Sequence, residues 1–308
     1  MAIGTFDGVH IGHQRVLERL NAVAAREKLE RVAYAFVFPP RLTVRGKAQG
    51  ILLPEEAKIG LLEGYVDRVE RASFTDVSQI APDAFVRQVL LGRLSARAVV
   101  VGENFRFGRD RAGDVSLLRS LCERECTSVI AVPPVVIDGS VVSSTRIRKL
   151  ISQGRVEEAA LLLGRLPILL GKVVHGDRLG RKLGFPTANL TIDMRVLLPG
   201  DGIYLVHAFW NGQRSPGLLY IGKRPTINAT ERRCEVYLFG ERSNLHEQGP
   251  LRTVDLYGKS MEVHIVQKLR DDRPFETLAQ LQQQIERDVE RARGILLTVD
   301  SPQEPIFT

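Results

Sequence analysis

Around Gly164-Arg165-Leu166-Pro167 the chain changes character, and this change limits its fold more than any other feature. Before it, short strand-like runs alternate with helical patterns. Residues 31–38 (RVAYAFVF), 98–101 (AVVV) and 128–132 (SVIAV) are β-branched or aromatic and bounded by turn residues. Between the first two of these and the N-terminus, residues 14–28 carry Val16, Leu17, Leu20, Val23 and Ala24 on one helical face. Such alternation predicts a parallel sheet covered by helices on both faces, with ligands at the carboxyl ends of its strands. A helical pattern over 156–163 precedes the break. After it, residues 168–174, 202–210, 218–221, 235–239 and 261–267 read as short strands separated by Gly, Pro and Asn. One of the separators, Asn211-Gly212, is a strong hairpin pair. These strands predict a small antiparallel barrel. A last helix over 277–296, with Leu278, Leu281, Ile285, Val289, Ala292 and Leu296 on one face, is expected to pack against it. Two domains follow, residues 1–165 and 166–308.

The chain's 308 residues suit two cores better than one, and its 44% hydrophobic and 26% charged residues are a globular composition rather than a disordered or fibrous one. No apolar run is long enough to span a bilayer. Met1-Ala2-Ile3-Gly4-Thr5 enters a motif directly, without a basic-then-apolar leader. Cys122, Cys126 and Cys234 are odd in number and lack metal-site spacing, so ordinary thiols in a reducing cytoplasm are expected. A net charge of +7 favours polyanionic partners, either nucleic acid or phosphorylated small molecules. With no basic–aromatic stripe of the kind that stacks bases, a phosphate-bearing small molecule is the expected partner, and neither nucleic acid nor membrane is. The sequence sets no oligomeric state.

The first chemical motif is Gly4-Thr5-Phe6-Asp7-Gly8-Val9-His10-Ile11-Gly12-His13, between the first strand and the first helix. Its glycines allow tight turns and close approach of backbone to phosphate. His10 and His13, three apart at a helix start, can both project from that end, where imidazole donors and the helix terminus stabilise charge on ATP phosphates. The chemistry this suits is nucleotidyl transfer, in which positioning and electrostatics carry the catalysis. The competing readings are two surface histidines or a metal pair, and a zinc site would need further ligands. Far downstream, Val141-Val142-Ser143-Ser144-Thr145-Arg146-Ile147-Arg148 offers helix caps, hydroxyl donors and arginine forks for phosphate. Alone it reads as a capped helix; beside the first motif it reads as the second wall of a nucleotide site.

The second motif runs Gly171-Lys172-Val173-Val174-His175-Gly176-Asp177-Arg178-Leu179-Gly180-Arg181-Lys182-Leu183-Gly184-Phe185-Pro186-Thr187-Ala188-Asn189-Leu190. Glycines and basic residues can wrap polyphosphate, and Thr187 and Asn189 present neutral oxygens suited to a magnesium that keeps waters and phosphate ligands. Gly258-Lys259-Ser260 imitates a P-loop, but Thr253 stands where that motif requires glycine.

Taken together, these segments resemble the bacterial bifunctional riboflavin kinase/FMN adenylyltransferase (FAD synthetase) family over nearly the whole chain. The resemblance implies an α/β nucleotidyltransferase with a Rossmann-like parallel sheet, then a small antiparallel β-barrel riboflavin kinase domain with a C-terminal helix. It implies phosphorylation of riboflavin to FMN in the C-terminal half and adenylylation of FMN to FAD in the N-terminal half, with ATP as co-substrate and Mg2+ as the metal. By the same resemblance, His10 and His13 are catalytic, and Gly4, Phe6, Asp7, Gly12, Ser143, Ser144, Thr145 and Arg148 bind nucleotide. Asn104 and Phe105, within Val101-Gly102-Glu103-Asn104-Phe105-Arg106-Phe107-Gly108, lie beside the flavin. In the kinase half, Gly176, Gly180, Arg181 and Lys182 hold phosphates, Thr187 and Asn189 the metal, and Glu235 is the base for the ribityl 5′-hydroxyl. The chain departs from the family pattern in its short opening strand, at Pro39 after the second strand, and in a longer loop over 239–255.

Overall fold

A computed structural model describes residues 1–37, 43–44, 47–48, 50–73, 77–176, 179–223, 232–239, 256–297 and 304–306. The chain divides into two units, Met1–Arg146 and Ile147–Thr308.

The first unit is built on five parallel strands, β1 (Ala2–Gly4), β2 (Val32–Val37), β5 (Arg68–Ser73), β6 (Ala98–Gly102) and β7 (Ser128–Val132), in the order β5-β2-β1-β6-β7. Two short pairs, β3 (Thr43–Val44) with β4 (Lys47–Ala48) and β8 (Val136–Ile137) with β9 (Ser140–Val141), stand outside it. Central strands read as unbroken apolar runs because both of their faces are covered: the first four residues of β6 are all buried. Helix α1 (Ile11–Glu27) turns Val16, Leu17, Leu20, Val23 and Ala24 inward and stops at Lys28, whose left-handed backbone (φ 54°) closes it. Helix α2 (Glu55–Glu63) opens at Pro54, and a helical segment beginning at Pro82–Ala84 continues as π-helical turns over Phe85–Arg93. Helix α3 (Val115–Glu123) is capped by Asp114, which accepts the Leu117 N–H at 2.9 Å. Helix α4 (Ser144–Ser152) spans the division between the two units.

This strand order has a functional consequence. β1 is followed by β2 on one side, while β6 lies on the other side, so the connections part at β1 and β6. That is the switch point of an open parallel sheet, where a crevice forms beyond the carboxyl ends. Gly4 ends β1 and Gly102 ends β6, so the first motif and the Val101–Gly108 segment both begin at the crevice.

The second unit begins with the rest of α4 and helix α5 (Val156–Leu163). It then forms a closed antiparallel barrel of β10 (Ile168–Val174), β11 (Thr187–Ile192), β12 (Gly202–Trp210), β13 (Gln213–Lys223), β14 (Arg232–Leu238) and β15 (Ser260–Arg270), in the order β10-β11-β14-β13-β12-β15. Asn211 and Gly212, both left-handed (φ 46° and 71°), make the β12–β13 hairpin turn. Inward positions alternate along the strands: Val173 stands opposite Leu190, Leu219 stands between Val236 and Tyr204, and Leu169 stands opposite Val263, all of them buried. The opposite face of β12, β13 and β14 carries Leu205, Leu218 and Tyr237, and helix α6 (Leu278–Leu296) covers it with Val289, Ala292 and Leu296. Thr277 caps α6, accepting the Gln280 N–H at 3.2 Å.

Candidate functional sites

The loop from Gly4 to His10 takes a backbone course that side chains rarely adopt. Phe6 (φ 49°), Gly8 (φ 81°) and Val9 (φ 38°) are all left-handed, and such residues persist only where their surroundings over-determine them. The anchors are specific. Val9 N–H donates to Phe6 O at 3.0 Å, and the Gln14 side chain donates to Val9 O at 2.9 Å. The buried Asp7 carboxylate accepts the Leu52 N–H at 2.9 Å. Ser144, 137 residues away in sequence, donates its hydroxyl to Asp7 O at 2.9 Å. The two motifs read from the sequence therefore meet in space.

His10 caps α1, and its Nδ1 accepts the His13 N–H at 3.3 Å, which leaves Nε2 as the position for a proton. The two rings stack with centroids 3.7 Å apart and planes 14° apart, and Phe6 packs edge-on to His13 at 5.4 Å. Gly12 leaves room for this stack, since a Cβ there would press on the His10 ring at 3.1 Å. The pair thus sits at the positive end of α1, beyond the end of β1. Ser143 accepts the Arg146 N–H at 3.3 Å, and Arg146 donates to Ile137 O and Ser140 O, each at 3.0 Å, fixing the β8–β9 turn. Arg146 is thereby occupied structurally. Thr145 is exposed on the first turn of α4, and Arg148 follows one turn later, partly buried. After β6, Phe105 stacks on Phe107 at 5.7 Å while Asn104 is exposed beside it.

In the second unit, the outward face of the barrel carries a row of polar side chains. β11 pairs Asn189 with Glu235 of β14, and β14 pairs Glu235 with Tyr220 of β13. Thr187, two residues before Asn189 and on the same face, donates its hydroxyl to Glu235 Oε2 at 2.9 Å. These groups line a cavity of about 320 Å³, roofed by Gly180, Phe185, Phe275 and α6. That volume suits a small organic ligand. Gly180 O accepts the Leu183 and Phe185 N–H groups at 3.1 and 2.8 Å, folding the glycine-rich segment over the cavity mouth. Gly176 lies against the Asn189 amide so closely that a Cβ there would overlap it. Arg181 is exposed on the single turn Leu179–Lys182. Asp177, Arg178, Pro39, the 240–255 segment and the side chain of Lys182 lie outside the described residues.

Among the lining groups, Tyr220, Asp272, Arg273 and Asp288 were not singled out from the sequence. Tyr220 donates its hydroxyl to Asp272 Oδ2 at 3.2 Å across the cavity, and burial pushes the phenol's pKa upward. Arg270 forks onto the buried Asp288 of α6 at 2.9–3.0 Å, and Arg273 lies 5.1 Å over Phe275. Tyr220 shares the outward parity of Leu218, a signal the period-two pattern contains. The partners on the loop before α6 leave no comparable periodic mark.

A crevice at a sheet switch point with a paired-histidine helix start, and a separate barrel with a carboxylate beside neutral oxygen donors, define a chain with two phosphate-handling transferase modules. The known proteins agree. The FAD synthetase family model matches residues 1–146 and the riboflavin kinase model residues 163–296. The bifunctional riboflavin kinase/FMN adenylyltransferase of Haemophilus influenzae is 35% identical over 96% of this chain and 93% of its own. That of Escherichia coli K12 is 32% identical over 95% and 91%. A solved structure described as a macrolide-efflux protein from Streptococcus pneumoniae superposes with a TM-score of 0.83, at 29% identity over 95% of this chain and 93% of that one. Its description concerns that protein; among the described residues here, no helix is long and apolar enough to cross a membrane. The chain belongs to the bifunctional riboflavin kinase/FMN adenylyltransferase family. It is an enzyme with both activities, whose substrates are riboflavin, FMN and ATP.

Proposed function

We propose that Glu235 is the general base of the kinase half. The observation that carries this is the Thr187 hydroxyl bonded to one carboxylate oxygen, which orients the group and leaves the other oxygen to take the proton of the ribityl 5′-hydroxyl. The deprotonated hydroxyl attacks the γ-phosphorus of ATP, and ADP leaves. Gly176, Gly180, Arg181 and Lys182 bind the phosphates. Thr187 and Asn189 would hold Mg2+, and the fit is chemical: hard neutral oxygens on one strand face, with room beside Asn189 preserved by Gly176. Bound there, magnesium neutralises charge on the phosphate oxygens.

In the N-terminal half, an FMN phosphate oxygen attacks the α-phosphorus of ATP and pyrophosphate leaves. His10 and His13 stabilise the charge that develops, Gly4, Phe6, Asp7 and Gly12 shape the phosphate-binding loop, and Ser143, Ser144, Thr145 and Arg148 close its other side. The Ser144–Asp7 hydrogen bond supports this pairing of the motifs. Asn104 and Phe105 contact the flavin ring. We take 1–165 and 166–308 as the domain limits, because a cut near 146 would split α4, which carries Ser144 and Arg148 together. The cytoplasm is the expected compartment, and nucleic acid is not an expected partner.

With riboflavin, ATP and magnesium, chromatography is expected to show FMN first and FAD later, both stopped by chelation. FMN accumulation without FAD would reject the adenylyl assignment, and no flavin turnover would reject both. Gly176→Ala is expected to raise the magnesium concentration needed for half-maximal kinase rate by about tenfold, by displacing the Asn189 side chain. FAD formation from supplied FMN in this variant should be unchanged. A magnesium requirement equal to wild type would remove Asn189 from the metal site.

A further inference from the structure

Lys58 is a buried cation that neither reaction uses. It lies on the inward face of α2 with Ala57, Ile59 and Leu62, and only 7% of it is exposed. Burying an ammonium is costly unless its donors are satisfied, so an apolar residue would be the default here. Its Nζ donates to Phe36 O at 2.9 Å and to Thr5 O at 3.4 Å. Phe36 is near the end of β2, and Thr5 follows the end of β1. The ammonium therefore links the carboxyl ends of two adjacent parallel strands, directly beneath the loop of left-handed residues that leads into α1.

We propose that Lys58 is a positioning residue for adenylyl transfer: by tying the Thr5 carbonyl to the end of β2, it holds the Phe6–Val9 backbone in the course that sets His10 and His13 at the head of α1. This rests on the reading of that loop as the adenylyl site. The Leu52 N–H and the Ser144 hydroxyl anchor the loop at Asp7, and the Gln14 side chain anchors it at Val9, after the turn. Lys58 holds the loop at its entry, through the Thr5 carbonyl. Without it, the Thr5–Phe6 peptide can relax toward an ordinary right-handed backbone, carrying the histidine pair out of line.

The charged groups around the ammonium are Asp7 of the loop, Glu55 of its own helix and Arg71 of β5. Desolvation, the largest influence, lowers its pKa from the usual lysine value, against the opposing pull of Asp7 and Glu55. Rising pH thus discharges Lys58 earlier than a surface lysine and weakens its charge-assisted bonds to both carbonyls. FAD formation should show an alkaline limb from this group.

The test uses the full chain, whose kinase activity serves as an internal control. Lys58→Met is expected to lower kcat for FAD formation by about 100-fold, the scale of an ångström of misplacement, with KM for FMN little changed. FMN formation should persist at the wild-type rate. Lys58→Arg is expected to recover much of the rate and to lose the alkaline limb, since guanidinium stays charged to above about pH 12. A purely structural lysine would lower the melting temperature without moving that limb. The proposal is overturned if the limb is the same in Lys58→Arg and wild type, if Lys58→Met keeps its FAD rate, or if both activities fall together. Survival of FAD formation in His13→Ala would instead remove the adenylyl-site reading itself.

Discussion

Glu235→Gln is expected to reduce riboflavin phosphorylation by about 10³-fold, within the range typical of a lost general base. FAD formation from supplied FMN should continue at the wild-type rate. Glutamine is chosen because it keeps the shape of the side chain and an oxygen that can accept the Thr187 hydroxyl, so the β11–β14 pairing and the cavity walls are retained. What it cannot do is take a proton. The loss should therefore fall on kcat, with the riboflavin KM near its original value, because the residue acts on the reacting hydroxyl rather than on the flavin ring. Single-turnover measurement of FMN formation separates chemistry from product release. A variant that phosphorylates riboflavin within tenfold of wild type would show that the hydroxyl loses its proton elsewhere.

His13→Ala is expected to have the opposite selectivity. FAD formation should fall by about 10²–10³-fold, the usual cost of removing one donor from a preorganised charge-stabilising site. Riboflavin phosphorylation should be unaltered. The stacking of His13 on His10 and its edge contact with Phe6 mean that deletion also removes ring packing. His13→Asn separates the two effects, since an amide keeps a donor but not the stacked ring. FAD production measured from FMN and ATP, with pyrophosphate release as a second readout, checks both variants. Unchanged pyrophosphate release in His13→Ala would exclude the histidine from the transfer step, whatever happened to stability.

Much of this architecture was legible in advance where the physical signal is local. The apolar runs of β2 and β6 and the face of α1 announced themselves, because a strand buried on both sides has few sequence solutions, and the β-branched run of β7 was legible with them. β5 did not. Its sequence RVERAS carries charge at Arg68, Glu70 and Arg71, as suits the outermost strand of a sheet, and it resembles a polar loop when read alone. β11 was hidden similarly: Ala188 and Asn189 are poor strand formers, and the barrel's closure, not their propensity, makes them extended. The motif glycines, histidines and Glu235 were visible through resemblance as well as chemistry. The groups that hold them were not. Lys58, Leu52 and Asp272 act through tertiary contacts with residues far along the chain, and a buried lysine among Ala57, Ile59 and Leu62 looks like any helical lysine until its neighbours are known.

The closed barrel also sets a timetable for synthesis. β10 is hydrogen-bonded to β15, so the ring cannot close until its last strand has left the ribosome, and α6, which covers the cavity, emerges later still. The parallel sheet, by contrast, has all five of its strands by Val132. Domains fold in the order in which they are made. During translation the half that consumes FMN can therefore assemble first, while the half that supplies FMN waits for nearly the whole chain, so the enzyme is built in the reverse of the order in which a flavin passes through it.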